Sequence, residues 1–354
     1  MDRDNSARII DHVRSALEQR TPLRIVGGSS KAFFAPTTQS HGTELSLAEH
    51  RGIVAYEPRE LVVTARAGTL LAELEQTLAQ QGQMLPFEPP HFGASATVGG
   101  TIACNFSGPR RAYAGAARDF LLGVEIINGR GEQLRFGGQV MKNVAGYDVS
   151  RLMAGALGTL GVILSATFKV LPRATQSLTL RQECSATDAI VAMNRWAGQP
   201  LPISATAHDG DHLHIRLEGS TSGVYAARQK IGGDVVDDAH YWSDVREQRH
   251  GFFSDPRPLW RLSVPSTTAP LPFPGKTLSE WGGALRWIYT DMPPSAVREL
   301  AQRHGGHATL FRAPVALADA FTPLPNALLQ LHRRLKTAFD PHGILNPGRM
   351  YTEF

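Results

Sequence analysis

Two glycine-bearing bends carry the residue types best suited to chemistry. The first, Val26-Gly27-Gly28-Ser29-Ser30-Lys31, directly follows the apolar run Leu23-Arg24-Ile25-Val26. Adjacent glycines reach positive φ and let backbone N–H groups approach a ligand closely. Ser29, Ser30 and Lys31 add donors and one positive charge, so the loop suits a diphosphate. Taken alone, Gly-Gly-Ser is equally a structural turn. Its spacing is neither GxGxxG nor GxxxxGK[ST], which disfavours a Rossmann dinucleotide fold and a P-loop. The second bend comes about seventy residues later, in Ser95-Ala96-Thr97-Val98-Gly99-Gly100-Thr101-Ile102-Ala103-Cys104-Asn105-Phe106-Ser107-Gly108-Pro109. Thr97 and Thr101 offer hydroxyls, and Gly99-Gly100 clears side chains where the chain enters a short helix. A helix start of that kind favours an anion. The bland alternative is a tight helix–loop contact, and two such loops in one domain weigh against it.

A third segment, Lys142-Asn143-Val144-Ala145-Gly146-Tyr147-Asp148, precedes Gly155, Gly158 and Leu160-Gly161-Val162-Ile163. Gly158 and Gly161 stand at a strand entry, where exposed main chain can read an adenine edge. Together the three segments resemble the FAD-binding (PCMH-type) domain of the vanillyl-alcohol-oxidase superfamily, in its D-2-hydroxy-acid oxidoreductase branch. The ending Phe339-Asp340-Pro341-His342-Gly343-Ile344-Leu345-Asn346-Pro347-Gly348 is similar to that branch's ending. Glu88-Pro89-Pro90-His91, Gly108-Pro109-Arg110-Arg111 and Arg118-Asp119 are similar to the smaller flavin subunits of bacterial glycolate oxidases. The resemblance spans the chain, and is strongest over residues 20–172 and 326–350.

That resemblance implies an α+β protein: a bilobed FAD domain over 1–172, an α+β cap of antiparallel sheet plus helices over 173–320, and a C-terminal return over 321–354. It implies that Gly27, Gly28, Ser29, Ser30 and Lys31 hold the FAD diphosphate, completed by Thr97, Gly99 and Gly100. Pro90 would lie beside the cofactor, and Asn105, Ser107 and Gly108 along its ribityl and ring region. Gly161 and Val162 would face the adenine. Covalently flavinylated relatives usually place a His after the paired glycines; Ser29 stands there, and His41 is too far along, so FAD is expected to be non-covalent. The implied reaction is oxidation of glycolate, or a similar 2-hydroxy acid, to the 2-oxo acid. The implied partners are a larger flavin subunit and an iron–sulfur subunit that passes electrons to a quinone. With two cysteines the chain cannot itself supply the four thiolates of a cluster. Two alternatives stay open: a catalytically silent flavin subunit, and a stand-alone hydroxy-acid dehydrogenase.

For catalysis, His307 after Gly305-Gly306 could take the substrate's hydroxyl proton as hydride leaves for the flavin. Arg312, with Arg261 and Arg286, could bind a carboxylate bidentately; each also has a structural reading. Arg110-Arg111 reads as a partner or cofactor rim. His208-Asp209-Gly210-Asp211-His212-Leu213-His214 invites a metal, but Asp-Gly is a common hairpin turn, and a solvated hairpin is the preferred reading; no metal site is expected.

The elements that must position these groups are legible from pattern. Ile9, Ile10, Val13 and Leu17 mark a helix over 5–19. Strands are expected over 23–26, 52–56, 61–66 and 162–171, with two more flanking Asn128-Gly129, and a helix over 69–81 with Thr69 as its cap. Beyond Pro172 the pattern changes to an antiparallel sheet with helices on one side. The helices span 187–198, 222–232 and 295–304; the clearest strands span 178–182, 212–217 and 284–289. A final amphipathic helix covers 326–339.

The 354 residues are 42% hydrophobic and 19% charged, with a formal charge of +4. Length and composition suit two domains with a substantial core. The Lys and Arg residues form no stripe interleaved with aromatics, so nucleic acid is excluded as a partner. Cys104 and Cys184 make no disulfide framework and read as small buried hydrophobes in a reducing cytosol. No signal core or membrane-length apolar run appears; contact with a membrane would be peripheral, through partners.

Overall fold

The computed structural model describes residues 2–35, 42–138, 148–237, 240–314 and 320–353. The chain divides into two units. One comprises residues 1–106, 116–172 and 323–354, the other residues 107–115 and 173–322.

Among the described residues the first unit carries the strands β1 (Leu23–Val26), β2 (Thr43–Ser46), β3 (Ile53–Glu57), β4 (Val62–Arg66), β5 (Gln83–Met84), β6 (Leu121–Ile127), β7 (Gln133–Gly137), β8 (Val162–Lys169) and β9 (Leu171–Pro172). β3-β4-β8-β6-β7 form an antiparallel sheet, β1 and β2 a parallel pair, and β5 and β9 an antiparallel pair. The central place of β8 follows from its sequence, Val-Ile-Leu-Ser-Ala-Thr-Phe-Lys, rich in residues that fit a pleated surface. Paired on both edges, it buries Val162, Leu164, Ala166 and Phe168 together with Ile163. Each such large apolar side chain stabilises the fold by about 1.5–3 kcal/mol.

The helix Ser6–Gln19 buries Ile9, Val13 and Ala16, an i, i+4, i+7 stripe, and stops where Arg20 turns left-handed at φ 51°. The helix expected over 69–81 runs Leu71–Gln80, and its cap is Leu70 rather than Thr69. Thr69 is fully buried, and its hydroxyl bridges both the N–H and the carbonyl of Gly52. A tertiary contact has captured the residue that local pattern assigned to capping.

The second unit carries β10 (Gln176–Glu183), β11 (Ile203–His208), β12 (His212–Gly219), β13 (Asp234–Val236), β14 (Leu259–Ser263), β15 (Thr277–Glu280), β16 (Leu285–Tyr289) and β17 (His307–Arg312). They form one eight-stranded sheet in the order β13-β10-β12-β11-β15-β16-β14-β17, every pairing antiparallel. Helices Ala186–Ala197 and Thr221–Ile231 start at Ser185 and Ser220, whose side chains accept from the backbone N–H groups of Asp188 and Gly223. They pack on the sheet face carrying Leu180, Leu213, Ile215 and Leu217.

The helices do not all lie on one side. Tyr241–Arg246 covers the opposite face of the same strands: His214 stacks on Tyr241 at 4.0 Å, and Arg216 lies over Trp242 at 5.3 Å. Trp242 also donates its indole N–H to Thr179 at 2.8 Å. Strict alternation puts His214, Arg216 and Thr179 opposite the leucines. That polar-looking face is covered by aromatic rings rather than by water.

Candidate cofactor site

The two glycine bends lie against each other in the first unit. The Ser95 hydroxyl donates to the Gly28 carbonyl at 2.5 Å. A Cβ on Gly28 would overlap the Ser95 carbonyl, 2.5 Å from its carbon, and a Cβ on Gly27 would sit 2.5 Å from Thr97 Oγ1. Neither glycine has positive φ; the left-handed residue of the loop is Ser29, at φ 55°. Gly28 is required for the close approach of the Ser95 backbone and Gly27 for that of the Thr97 side chain, not for positive φ, which corrects the reason inferred from sequence.

Between the bends lies a cavity of about 290 Å³, lined by Gly27, Gly28, Ser29, Ser30, Lys31, Thr97 and Gly100 from the expected set. The base of β1, Ala103, Cys104 and Leu157 supply an apolar wall, and Asn346, Pro347 and Arg349 close it from the C-terminal segment. Among these lining residues are three cations, Arg24, Lys31 and Arg349, and no carboxylate. A cradle of main chain, hydroxyls and positive charge beside an apolar wall fits the diphosphate and neighbouring parts of a dinucleotide such as FAD. Lys31 is itself buried, its ammonium donating to the His91 carbonyl at 3.1 Å. Cys104, expected as a buried hydrophobe, is half-buried and forms part of the wall. Burial pushes its thiol upward from the ordinary value.

Other expected residues stand elsewhere. Gly99 is not in the cavity wall: its N–H donates to Ala67 at 2.8 Å, and a Cβ there would meet the Ala67 side chain at 2.7 Å. Its lack of a side chain serves helix packing. Asn105 ends the short helix in left-handed conformation, φ 53°, and its side-chain oxygen accepts from Arg118 N at 3.2 Å. Gly161 packs on Ile126, and Val162 is fully buried opposite Ile127 within the sheet. Pro90 is buried outside the cavity lining. Ser107 and Gly108 belong to the second unit, where the Gly108 carbonyl accepts the Trp281 indole N–H at 3.0 Å. Lys142 to Tyr147, and His41, lie outside the described residues.

Asn346 and Arg349 were not anticipated as site residues, although the Leu345-Asn346-Pro347-Gly348 ending was visible in the sequence. Asn346 is held by three hydrogen bonds and closely packed against Gly158. Its side chain accepts from Ile25 N at 2.8 Å and donates to the Leu157 carbonyl at 2.7 Å. Its backbone N–H donates to Leu23 at 3.0 Å, and a Cβ on Gly158 would touch its amide nitrogen at 2.7 Å.

In the second unit, His307 begins β17 and Arg312 ends it, paired with Ser263 and Leu259 respectively. Five residues of strand separate their backbones by roughly 15 Å, so the structure does not bring this pair together. Arg261 is the arginine beside His307. Partial desolvation and the Arg261 charge hold the His307 imidazole below its usual range. Burial likewise lowers Arg261, to about 10, and its guanidinium lies 5.1 Å from the Trp281 ring. Arg286 braces a loop through the Gly283 and Thr268 carbonyls. Arg110 pairs with Glu218, and Arg111 lies over Trp281 at 4.4 Å, so both arginines tie residues 107–115 to the second unit's sheet.

The His-rich segment is a hairpin. Asp209 accepts the N–H groups of Asp211 and His212, and His208 contacts the Cys184 carbonyl at 3.0 Å. His214 is buried on Tyr241, and burial lowers its pKa to about 4, against the opposing pull of Asp209; His212, His250 and Arg181 lower it further. A histidine that resists protonation in the folded state leaves the unfolded chain binding more protons, so stability falls with acidification between 6.5 and about 4. The slope is at most about 1.4 kcal/mol per pH unit from this group. His214→Phe keeps the ring stack and is expected to flatten that slope, read from urea unfolding across the pH range.

Comparison with known proteins agrees with the cavity. The model of the FAD binding domain matches residues 4–137, and that of the C-terminal domain of FAD linked oxidases matches residues 324–350. Glycolate oxidase subunit GlcE of Escherichia coli (strain K12) is 48% identical over 351 residues, covering 99% of this chain and 98% of that protein. D-lactate dehydrogenase of Anaerostipes hadrus is 30% identical over 53% of this chain and 41% of its own length. Glycolate oxidase subunit GlcD of Bacillus subtilis (strain 168) is 31% identical over 46% of this chain and 34% of its own. Two crystal forms of alkyldihydroxyacetonephosphate synthase superpose with TM-scores of 0.70 and 0.71 at 15% identity, over 96% of this chain and 75% of theirs, a likeness of fold. Among the described residues no helix is long and apolar enough to cross a membrane. With its paired bends, its cationic cavity and end-to-end similarity to GlcE, the chain belongs to the PCMH-type family of FAD-linked oxidoreductases within the vanillyl-alcohol-oxidase superfamily, and FAD is its cofactor.

Proposed function

We propose that this chain is the FAD-carrying subunit of a glycolate oxidase. In this reading it takes part in oxidising glycolate, or a similar short 2-hydroxy acid, to glyoxylate or the matching 2-oxo acid. A larger flavin subunit and an iron–sulfur subunit complete the assembly on the cytoplasmic side, and any membrane contact is made through them. The observation that carries the reading is the similarity to GlcE along 99% of the chain, and the cationic, carboxylate-free cavity supports its cofactor half. FAD is held without a covalent bond, since Ser29 stands where covalently flavinylated relatives usually carry a His. When bound it supplies a two-electron acceptor.

The protein's own groups have narrower tasks. His307, kept neutral by partial desolvation and by Arg261, accepts the substrate's hydroxyl proton at a ring nitrogen. Arg261 is a better carboxylate partner than Arg312. A two-carbon acid has its hydroxyl and carboxylate on adjacent carbons, and the Arg261 charge acts on His307. A guanidinium there orients the acid and offsets its charge.

Purified full-length chain mixed anaerobically with glycolate tests the proposal. The expected result is a yellow protein, with acid-extractable FAD, whose flavin band bleaches. A yellow protein that never bleaches without its partners sinks intrinsic turnover and leaves a silent flavin subunit. A colourless protein without affinity for FAD sinks the cofactor reading as well.

A further inference from the structure

The three cations of the cavity are not equivalent. Arg24 is paired with Glu44 at the surface. Lys31 is buried with its ammonium on the His91 carbonyl and near Ser30 Oγ at 3.4 Å. Arg349 is half-buried, and its hydrogen bond among the described residues runs from Nη2 to the Phe34 carbonyl at 3.0 Å. A guanidinium carries five N–H donors and a full charge, and the described residues lining the cavity include no carboxylate. Burial accordingly pushes Arg349 down from its ordinary value, with Cys104 opposing that shift and Arg24 adding to it. A charge held out of water without a counter-ion is costly unless something anionic arrives to pair with it.

The position of Arg349 is fixed by its neighbours. Its backbone N–H donates to Asn346 at 3.2 Å, and Asn346 is in turn bonded to Leu23, Ile25 and Leu157. Arg349 therefore comes from a segment held by hydrogen bonds and lines the same cavity as the amides and hydroxyls of the two bends. We propose that Arg349 is the principal anion-binding side chain of the cavity and takes the nucleotide diphosphate, a role resting on FAD as the occupant. The planar fork of arginine suits two phosphate oxygens, whereas Lys31 contributes background charge while staying tied to the loop. The C-terminal segment, far beyond the glycine bends in sequence, is on this account part of the cofactor site itself.

Arg349→Gln keeps a donor for the Phe34 carbonyl and removes the charge; Arg349→Lys keeps the charge and removes the fork. Full-length apoprotein is titrated with FAD, ADP and riboflavin at low and high salt, followed by flavin fluorescence and calorimetry. Arg349→Gln is expected to weaken FAD and ADP by a common factor of about 10–100. Riboflavin binding should be unchanged, the salt dependence of FAD binding flatter, and thermal unfolding of the apoprotein unaltered. Arg349→Lys is expected to recover part of the loss. FAD affinity at the wild-type level in Arg349→Gln overturns the inference alone. So does a loss shared equally by riboflavin, or one accompanied by a matching drop in apoprotein stability. Wild-type chain that binds no FAD removes the cofactor reading and this inference together.

Discussion

Gly28→Val is expected to lower FAD affinity by about 100-fold or more, because the new side chain has nowhere to go. Its Cβ alone falls on the Ser95 carbonyl, a backbone atom that cannot rotate aside. The Ser95 hydroxyl is meanwhile bonded to the Gly28 carbonyl, so the two bends are already in contact. Overpacking of this kind costs about 1–3 kcal/mol and sometimes more. The cheapest relief is to separate the bends, which opens the cradle; ~2.8 kcal/mol transferred to binding is a factor of 100. Titration of apoprotein with FAD checks the affinity, and thermal unfolding checks that the sheet survives. Gly251→Ala, whose Cβ meets nothing within 4 Å, calibrates the result and should be silent. If Gly28→Val retains wild-type FAD affinity, the bends do not form the cofactor cradle.

Asp340→Ala is expected to destabilise the first unit by about 3–5 kcal/mol. The helix Asn326–Phe339 buries one residue, Lys336, whose ammonium donates to Asp340, to the Thr159 carbonyl and to the Leu345 carbonyl at 2.7–2.8 Å. Asp340 also accepts the N–H groups of Ile344 and Leu345 at 3.1 and 2.8 Å. Removing the carboxylate strands a buried ammonium and frees the turn that delivers Asn346 and Arg349 to the cavity. FAD affinity should therefore fall together with stability. The double substitution Lys336→Met with Asp340→Leu removes both charges and should be less destabilised than Asp340→Ala alone. Urea unfolding of the three proteins measures this. An Asp340→Ala protein within about 0.5 kcal/mol of wild type would show the pair to be dispensable.

The two substitutions probe opposite ends of the sequence, yet they converge on one cavity. β1 forms its floor, and the residues on either side of that floor come from bends about seventy residues apart and from the chain's last ten residues. The edge of β1 is closed by the C-terminal segment through the Leu23–Ile344 and Asn346–Leu23 backbone bonds. A site assembled this way is sensitive to changes in the helix Asn326–Phe339 that touch no ligand.

Local pattern determined a good deal about this protein. The apolar stripe of Ser6–Gln19, the β-branched run of β8 and the amphipathic helix Asn326–Phe339 are each readable within a few turns of chain. The reason is that periodicity depends on neighbours three or four residues away. The glycine bends were equally visible as residues that could approach an anion. Tertiary structure decided the rest. It turned Thr69 from a helix cap into a buried bridge to Gly52, and set Gly99 against Ala67. It separated His307 from Arg312 along one strand and set Arg261 beside His307 instead. It also brought Arg349 to a loop more than three hundred residues away. Such outcomes follow from which distant backbones meet, and side-chain type records what a residue can bond to but not which partner the fold will bring within reach.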